Sequence, residues 1–513
     1  MGRPPPARDD AWRQPRLSAD ETNLRSPVLR GLAWKGTSQL FLQASRLVVA
    51  VILARMLSPE DYGLAAMALV LASLVVVFSD VALGAALVQR TSLSEADRST
   101  AFWTSVAVGA VCTVLGVALS GVFAGFYGDP AVQPLFAVLS LSFVITSLAT
   151  THEALLVREM NFRGLELRMM IATAAGAATG VYLAAAGYGA WAIIGQQLAI
   201  AGVSTVLLWL FSPWKPSFRF SRASLQCLGG FSGNVFVHRL LYYLHRNVDN
   251  LLIGRFLGAA ALGVYGFAYN VMLVPFSRIA GPLTEVLFPA FSRMQDDRPR
   301  MTAIWVRAVR LVASFSVPAL VGLVVVAPDF VQVVLGDKWE KTTILIQILA
   351  WVGLLQSLQT LNPQILQALD RTTTLLRYTI VFFVFHLTAF AIGLQWGVVG
   401  VAVGYLISSF VVEPLFGWLT ARALGVSPLL LLRGLTGVLQ ASALMFLAVL
   451  AARYALLQTD VQPALRLAVE VTIGAAVYIP CWMWRAGDAF AELKTFRRRT
   501  RRPAATLALE PPA

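Results

Sequence analysis

Residues 46 to 64 read RLVVAVILARMLSPEDYGL, and residues 246 to 264 read RNVDNLLIGRFLGAAALGV. Laid over one another without a gap, at an offset of 200, they bring Arg46 onto Arg246, Arg55 onto Arg255, Leu57 onto Leu257 and Gly63 onto Gly263. A second set of landmarks follows at an offset of 208, with Gly128 and Asp129 on Gly336 and Asp337, Arg163 on Arg371 and Gly189 on Gly397. Several matches in one order describe a duplicated chain.

Reading outward from this repeat, apolar runs between charged or Pro/Gly breaks predict fourteen helices of membrane-spanning length. They cover residues 32–56, 62–87, 101–122, 131–156, 167–186, 189–211, 225–256, 261–290, 303–327, 342–368, 373–394, 397–420, 430–456 and 464–485. Six fall in each copy of the repeat and the last two lie outside it. Six is even, so the copies share one orientation and are parallel repeats about an axis along the membrane normal. The expected organisation is a polar tail (1–30), an N-terminal lobe (31–223), a C-terminal lobe (224–424), helices thirteen and fourteen (425–486) and an Arg-rich tail (487–513). A chain cut near residue 425 is expected to keep part of its activity.

Composition agrees with this class. Of 513 residues 57% are hydrophobic and 13% charged, with a mean hydropathy of +0.69, which leaves no polar surface for a large soluble domain. The apolar runs are continuous over helix length, so the pattern is not that of a β-barrel. The net charge of +14 flanks apolar spans, which assigns it to orientation and to anionic membrane lipids rather than to nucleic acid. Seventeen Lys and Arg fall on alternate connections, from Arg90 and Arg98 through Arg422 and Arg433, against four (Lys338, Lys341, Arg453 and Arg466) on the others. The positive-inside rule makes the first set cytoplasmic, together with both termini. No short apolar region with a small-residue cleavage site opens the chain, so the first helix is expected to be the insertion signal. Cys112, Cys227 and Cys481 have no spacing that suggests a disulfide framework or a zinc site.

A charge inside a span is costly and marks a wet cavity or a partner. On helix 1, Lys35, Gln39, Gln43 and Arg46 share one face; on its repeat counterpart, Asn234, His238, Tyr242, His245 and Asp249 do the same, with Arg239 and Arg246 on the adjoining face. If the halves face each other, these stripes line the cleft between them. Their sign favours an anion, and the planar guanidinium fork suits a diphosphate. Lys35, Gln43, Arg46, Arg239 and Arg246 are therefore the expected binding set, and Asp80, His238, His245 and Asp249 the expected coupling or cavity-lining groups. A bland alternative stands beside this one: Arg46 with Gln43 as an interhelical pair, and Asp249 as the counter-ion of Arg246 or Arg239. Arg55 and Arg255, near span ends, can equally snorkel to headgroups. No phosphate-cradling loop is present and no segment is long enough for an ATPase, so transport is expected to be secondary, with no cofactor. His152 and Glu153 lack a nucleophile or metal-ligand spacing and make no active site.

With these residues in hand, the chain resembles the polysaccharide flippases of the multidrug/oligosaccharidyl-lipid/polysaccharide exporter superfamily, in the Wzx-like and WzxC-like branch. The resemblance rests on residues 34–70 (WKGTSQLFLQASRLVVAVILARMLSPEDYGLAAMALV), 78–90 (FSDVALGAALVQR), 245–272 (HRNVDNLLIGRFLGAAALGVYGFAYNVM) and 287–297 (LFPAFSRMQDD). It implies two six-helix lobes in a V around a central cavity, plus two extra helices. The implied cargo is an undecaprenyl-diphosphate-linked oligosaccharide, flipped across the bacterial inner membrane by alternating access for exopolysaccharide, capsule or O-antigen (lipopolysaccharide) assembly. Cavity arginines hold the diphosphate in similar lipid flippases, a role the resemblance carries to Arg46 and Arg246. Polysaccharide polymerase or export components are the implied protein partners. The rival readings are a multidrug exporter, which the cationic stripes disfavour, and a membrane polymerase or acyltransferase, which the short loops and two equal halves disfavour.

Overall fold

The computed structural model describes residues 21–79, 87–88, 93–222, 224–225 and 233–485. Among these, every regular element is helical. The first half holds α1 (Glu21–Met56), α2 (Pro59–Ser79), α3 (Glu95–Tyr127), α4 (Val132–Leu139), α5 (Leu141–Arg158), α6 (Phe162–Ala185) and α7 (Trp191–Phe211). Then come α8 (Gly233–Arg293), α9 (Arg298–Phe330), α10 (Thr342–Gln359), α11 (Asn362–Ala368), α12 (Thr372–Gly393), α13 (Gly397–Leu424), α14 (Leu429–Leu457) and α15 (Pro463–Arg485).

Eleven stretches among the described residues are long and apolar enough to cross a membrane, against the expected fourteen. Backbone breaks account for part of the difference. Thr372–Leu424 counts as one stretch although it contains the 3-10 turn Leu394–Trp396 and Gly397 at φ +70°. Within α8, Gly258 sits at φ +83°, ψ 179°, so two helical rods follow one another. The repeat is visible in the backbone: the matched glycines Gly128 and Gly336 have φ of +72° and +92°, and Gly189 and Gly397 have +53° and +70°. Each pair turns the chain at equivalent places through a conformation that costs glycine little.

Short-range chemistry starts the helices. At α2 the Ser58 and Asp61 side chains form a reciprocal capping box, with Ser58 N–H donating to Asp61 Oδ2 (2.9 Å) and Asp61 N–H to Ser58 Oγ (3.1 Å), while Pro59 takes the first helical position. Ser94 and Asp97 repeat the device at α3, at 3.0 and 3.1 Å. Asn161 caps α6 and Asp297 caps α9.

The described chain divides into two compact units: residues up to 52 with 74–119 and 136–238, and residues 53–73 and 120–135 with everything from 239 onward. In the first, α6 and α7 approach closely where Gly176 faces Ile200 and the Gln196 carbonyl, the small-residue packing expected where apolar surface alone gives no drive for association. Trp209 Nε1 donates to the Leu148 carbonyl at 3.0 Å, tying α7 to α5. The connection after α7 is pinned to α3 through Trp103 Nε1 to the Ser217 carbonyl (2.9 Å) and Ser221 N–H to Thr100 Oγ1 (3.0 Å).

In the second unit α9 is the central rod. A buried cluster including Phe291, Trp305, Val317, Ile365, Leu435 and Trp482 surrounds it. The last two helices belong to this core: Tyr478 Oη donates to the Ser314 carbonyl (2.7 Å) and Trp482 Nε1 to Ser314 Oγ (3.1 Å). Polar groups seal the same junction. Arg453 donates to Asp329 and to Glu470 Oε1 (3.1 Å), and Arg466 donates to Asp329. Asp329 is 1% exposed and Glu470 0%, so two acids and two bases form one neutral buried quartet.

Candidate functional site

Helix α1 carries the first expected stripe. Gln43 is half-buried, its Oε1 shielded without a hydrogen-bond partner, and Arg46 is exposed. Close by in the same unit, Ser38 hydrogen-bonds Glu166. Arg168, which the sequence places among the loop cations, is instead 5% exposed and donates through Nη1 and Nη2 to the two Glu153 oxygens at 3.1 and 3.3 Å, leaving that carboxylate half open. His152 is fully buried with no hydrogen-bond partner on either ring nitrogen, enclosed by Phe102, Trp209 and Trp214 at ring distances of 6.1, 4.7 and 5.3 Å. It is a ring packed among aromatics, with Lys215 within electrostatic reach.

On the second unit, Asp249 is 5% exposed and accepts from Tyr265 Oη (2.9 Å) and from the Asn250 N–H (2.8 Å). Exposed Arg246 lies within electrostatic reach of it. A chain of buried polar groups continues away from this carboxylate. The Tyr265 and Tyr269 rings stack at 6.2 Å, and Gln356 Nε2 donates to Tyr405 Oη at 2.7 Å. Tyr405 edges against His386 at 4.9 Å. His386 stacks on Phe382 at 4.0 Å, shares Nδ1 with the Phe382 carbonyl (2.9 Å) and has Ser409 Oγ at 3.5 Å from Nε2. Glu413 is buried on the same helix as Tyr405.

Of the expected site residues, Asp80 lies outside the described residues, and so do the side chains of Lys35, His238, Arg239 and His245. Arg46 and Gln43 belong to the first unit, Arg246 and Asp249 to the second. The tyrosines and His386 escaped the sequence reading because they sit on helices where no periodic stripe marks them. A signal was available all the same: the chain has only four histidines, and His386 interrupts an otherwise apolar run.

Parts of two segments that carry the resemblance, residues 53–70 and 245–272, meet inside the second unit. A Cβ on Gly63 would overlap the Ala259 carbonyl oxygen, and a Cβ on Gly263 would overlap the Pro59 carbonyl oxygen. At an offset of 200 Pro59 corresponds to Ala259 and Gly63 to Gly263, so the contact is reciprocal. Trp339 Nε1 donates to the Ala54 carbonyl at 2.7 Å, and the Tyr62 ring lies edge-on to Trp339 and Phe267 at 5.2 and 6.0 Å. The guanidinium of Arg55 donates to the Val333 and Val334 carbonyls (the latter at 3.1 Å). Its counterpart Arg255 lies 6.0 Å over the Phe126 ring and against Gly128, where a Cβ would come 3.4 Å from Nη1.

Together, the duplicated helical halves, the lipid-length spans and the buried polar chain define a membrane transporter of the two-repeat kind. The chain belongs to the family described as polysaccharide biosynthesis protein, whose model matches residues 52–344. It is 30% identical over 388 residues to the lipopolysaccharide biosynthesis protein WzxC of Escherichia coli (strain K12), covering 75% of this chain and 79% of WzxC. It is 26% identical over 463 residues to the teichuronic acid biosynthesis protein TuaB of Bacillus subtilis (strain 168), covering 89% and 95%. Among solved structures it resembles the lipid II flippase MurJ in an inward closed conformation, with a TM-score of 0.70 at 16% identity over 91% of this chain and 99% of MurJ. That likeness establishes the fold.

Proposed function

We propose that this protein flips an undecaprenyl-diphosphate-linked oligosaccharide across the bacterial inner membrane for exopolysaccharide, capsule or O-antigen assembly. The lobes (31–223 and 224–424) would rock about the repeat axis, with the Arg-rich connections and both termini on the cytoplasmic side. The observation that carries this reading is the pair of equivalent arginines, Arg46 and Arg246, each exposed on its own unit at matching positions of the repeat. Family membership supports the pathway, and two relatives named for different polymers, lipopolysaccharide and teichuronic acid, support a cargo recognised by its shared lipid diphosphate rather than by one sugar. Exposed guanidinium groups are the donors such a headgroup needs, because each can hold two phosphate oxygens at once. Lys35, Arg239 and Gln43 complete the proposed binding set. Asp249, held by Tyr265 beside Arg246, is the proposed coupling group, with Asp80, His238 and His245 as accessory lining; the prenyl tail stays in the lipid. The proposed protein partners are the polymerase and export components that consume the product.

The test is a sidedness assay in proteoliposomes that scores external access to an undecaprenyl-diphosphate oligosaccharide. Removing one charge-assisted donor pair costs about 1.5–3 kcal/mol of headgroup binding. Arg46→Ala and Arg246→Ala should therefore each lower flipping at subsaturating cargo about 10- to 100-fold with unchanged thermal stability. Wild-type-like flipping in both variants would remove the arginines from the mechanism, and a wild-type protein that leaves the lipid in place would sink the cargo assignment.

A further inference from the structure

We propose that Arg55 and Arg255 are the two bolts of a gate on the side of the membrane where connections are poor in Lys and Arg, seated on the Gly63/Gly263 contact, and that the gate opens and closes once per transport cycle. Only what passes the gate rests on the flippase reading.

Three observations carry this. First, the contact is symmetric. Gly63 meets the Ala259 carbonyl and Gly263 meets the Pro59 carbonyl, so the hairpin between α1 and α2 and the break at Gly258 within α8 press against each other through swapped copies of one surface. The arginines follow the same exchange. Arg55 of the first half reaches Val333 and Val334, beside the Gly336 turn of the second half, and Arg255 of the second half reaches Phe126 and Gly128, at the matching turn of the first. Under the offset of 208, Val334 corresponds to Phe126 and Gly336 to Gly128.

Second, the bonds are of a kind that forms and breaks readily. Arg55 is exposed, and the Val333 and Val334 oxygens that it meets belong to the π-helical turn Val331–Leu335 that ends α9, where terminal carbonyls lack helical partners and the helix dipole favours a cation. Water and anions compete for such donors, so the bolt holds without the desolvation that a buried ion pair demands.

Third, the seat is smooth. Two glycine faces meet carbonyl oxygens at its centre, and the side-chain contacts that opening must break beside it are the Trp339 hydrogen bond to the Ala54 carbonyl and the edge contacts of Tyr62 with Trp339 and Phe267. The Arg453–Asp329–Arg466–Glu470 quartet by contrast ties α14 and α15 to α9 within the second unit. The gate also gives the segments LARMLSPEDYG and NLLIGRFLG, with residues otherwise unused by the binding stripe, a common purpose, in which Arg is the bolt, Ser58 and Asp61 fix the hairpin, and Gly is the seat.

The experiment uses the full chain in nanodiscs, with Cys112, Cys227 and Cys481 replaced by Ala and a single reporter, Ala259→Cys, which is buried behind Gly63. A membrane-impermeant maleimide reports how often the gate exposes it. Arg55→Gln with Arg255→Gln should raise the labelling rate about tenfold through loss of the hydrogen bonds and ring contact, each single variant less, and Arg55→Lys least. Gly63→Val, which removes the seat and leaves both arginines, should also raise it. A second reporter, Val449→Cys in the core around α9, must stay unlabelled, so that a variant that opens by misfolding is recognised and the single substitutions decide. Unchanged labelling of the Ala259→Cys reporter, both in the folded double variant and in Gly63→Val, overturns the gate. Faster labelling in a protein that flips no diphosphate lipid leaves the gate standing and removes only the cargo.

Discussion

Four charged side chains decide how the end of the chain is held. Asp329 takes hydrogen bonds from Arg453 and Arg466, and Arg453 also serves Glu470, with both carboxylates almost fully buried. Such a quartet is stabilising only while it is complete, since each carboxylate left without its cation is a bare charge in a poorly hydrated site. Arg453→Met should destabilise the protein by about 3–5 kcal/mol, read as a lower unfolding temperature in detergent, and adding Glu470→Gln should restore part of the loss by removing the orphaned charge. If the double variant is no better than the single, the two residues are not coupled. In the sequence these groups are indistinguishable from loop charges: Asp329, Arg453 and Arg466 sit at the ends of apolar runs and count toward topology. Arg168 misleads in the same way. Hydropathy locates a charge along the chain but cannot tell which charges the packing of other helices will bring to it.

At the level of elements the sequence speaks more clearly. Apolar runs mark the helices, and the glycines matched across the repeat share left-handed backbone, so the duplication legible in residues 46–64 and 246–264 is present in the fold. The break at Gly258 falls in the gap expected between helices 225–256 and 261–290; what the letters conceal is a polar network spread over helices, as with Asp249, Tyr265 and Tyr405, because burial there depends on partners far apart in sequence. Capping is local and can be predicted. In SPED the Ser58–Asp61 box fixes the start of α2 and the hairpin that follows Arg55. Asp61→Ala should cost about 1 kcal/mol of stability, with Asp61→Asn losing less; a calorimetric scan that finds no loss in either would mean that the hairpin is held by its glycine contact alone.

Across the whole molecule, the last two helices lie outside the repeat but inside the second unit's core. Leu431, Leu435, Val438, Tyr478 and Trp482 bury against residues of α9 and its neighbours, and both cations facing Asp329 come from α14 and α15. The structure argues against the expectation that a chain cut near residue 425 keeps partial activity. Such a chain should fail to yield a monodisperse, folded species on size-exclusion chromatography, and co-expression of residues 426–513 as a separate fragment should recover some of it; a stable, active truncation would contradict the packing. The swapped glycine contact has a different reach. Because the partners of the two glycines, Ala259 and Pro59, are themselves equivalent positions of the repeat, the surface is complementary to itself, which is the geometry of an isologous dimer. A six-helix ancestor of the length of one repeat copy could have made that contact with a second copy of itself, and tandem fusion of its gene would have kept the dimer's axis as the internal axis of one polypeptide, after which the two copies were free to acquire different charges.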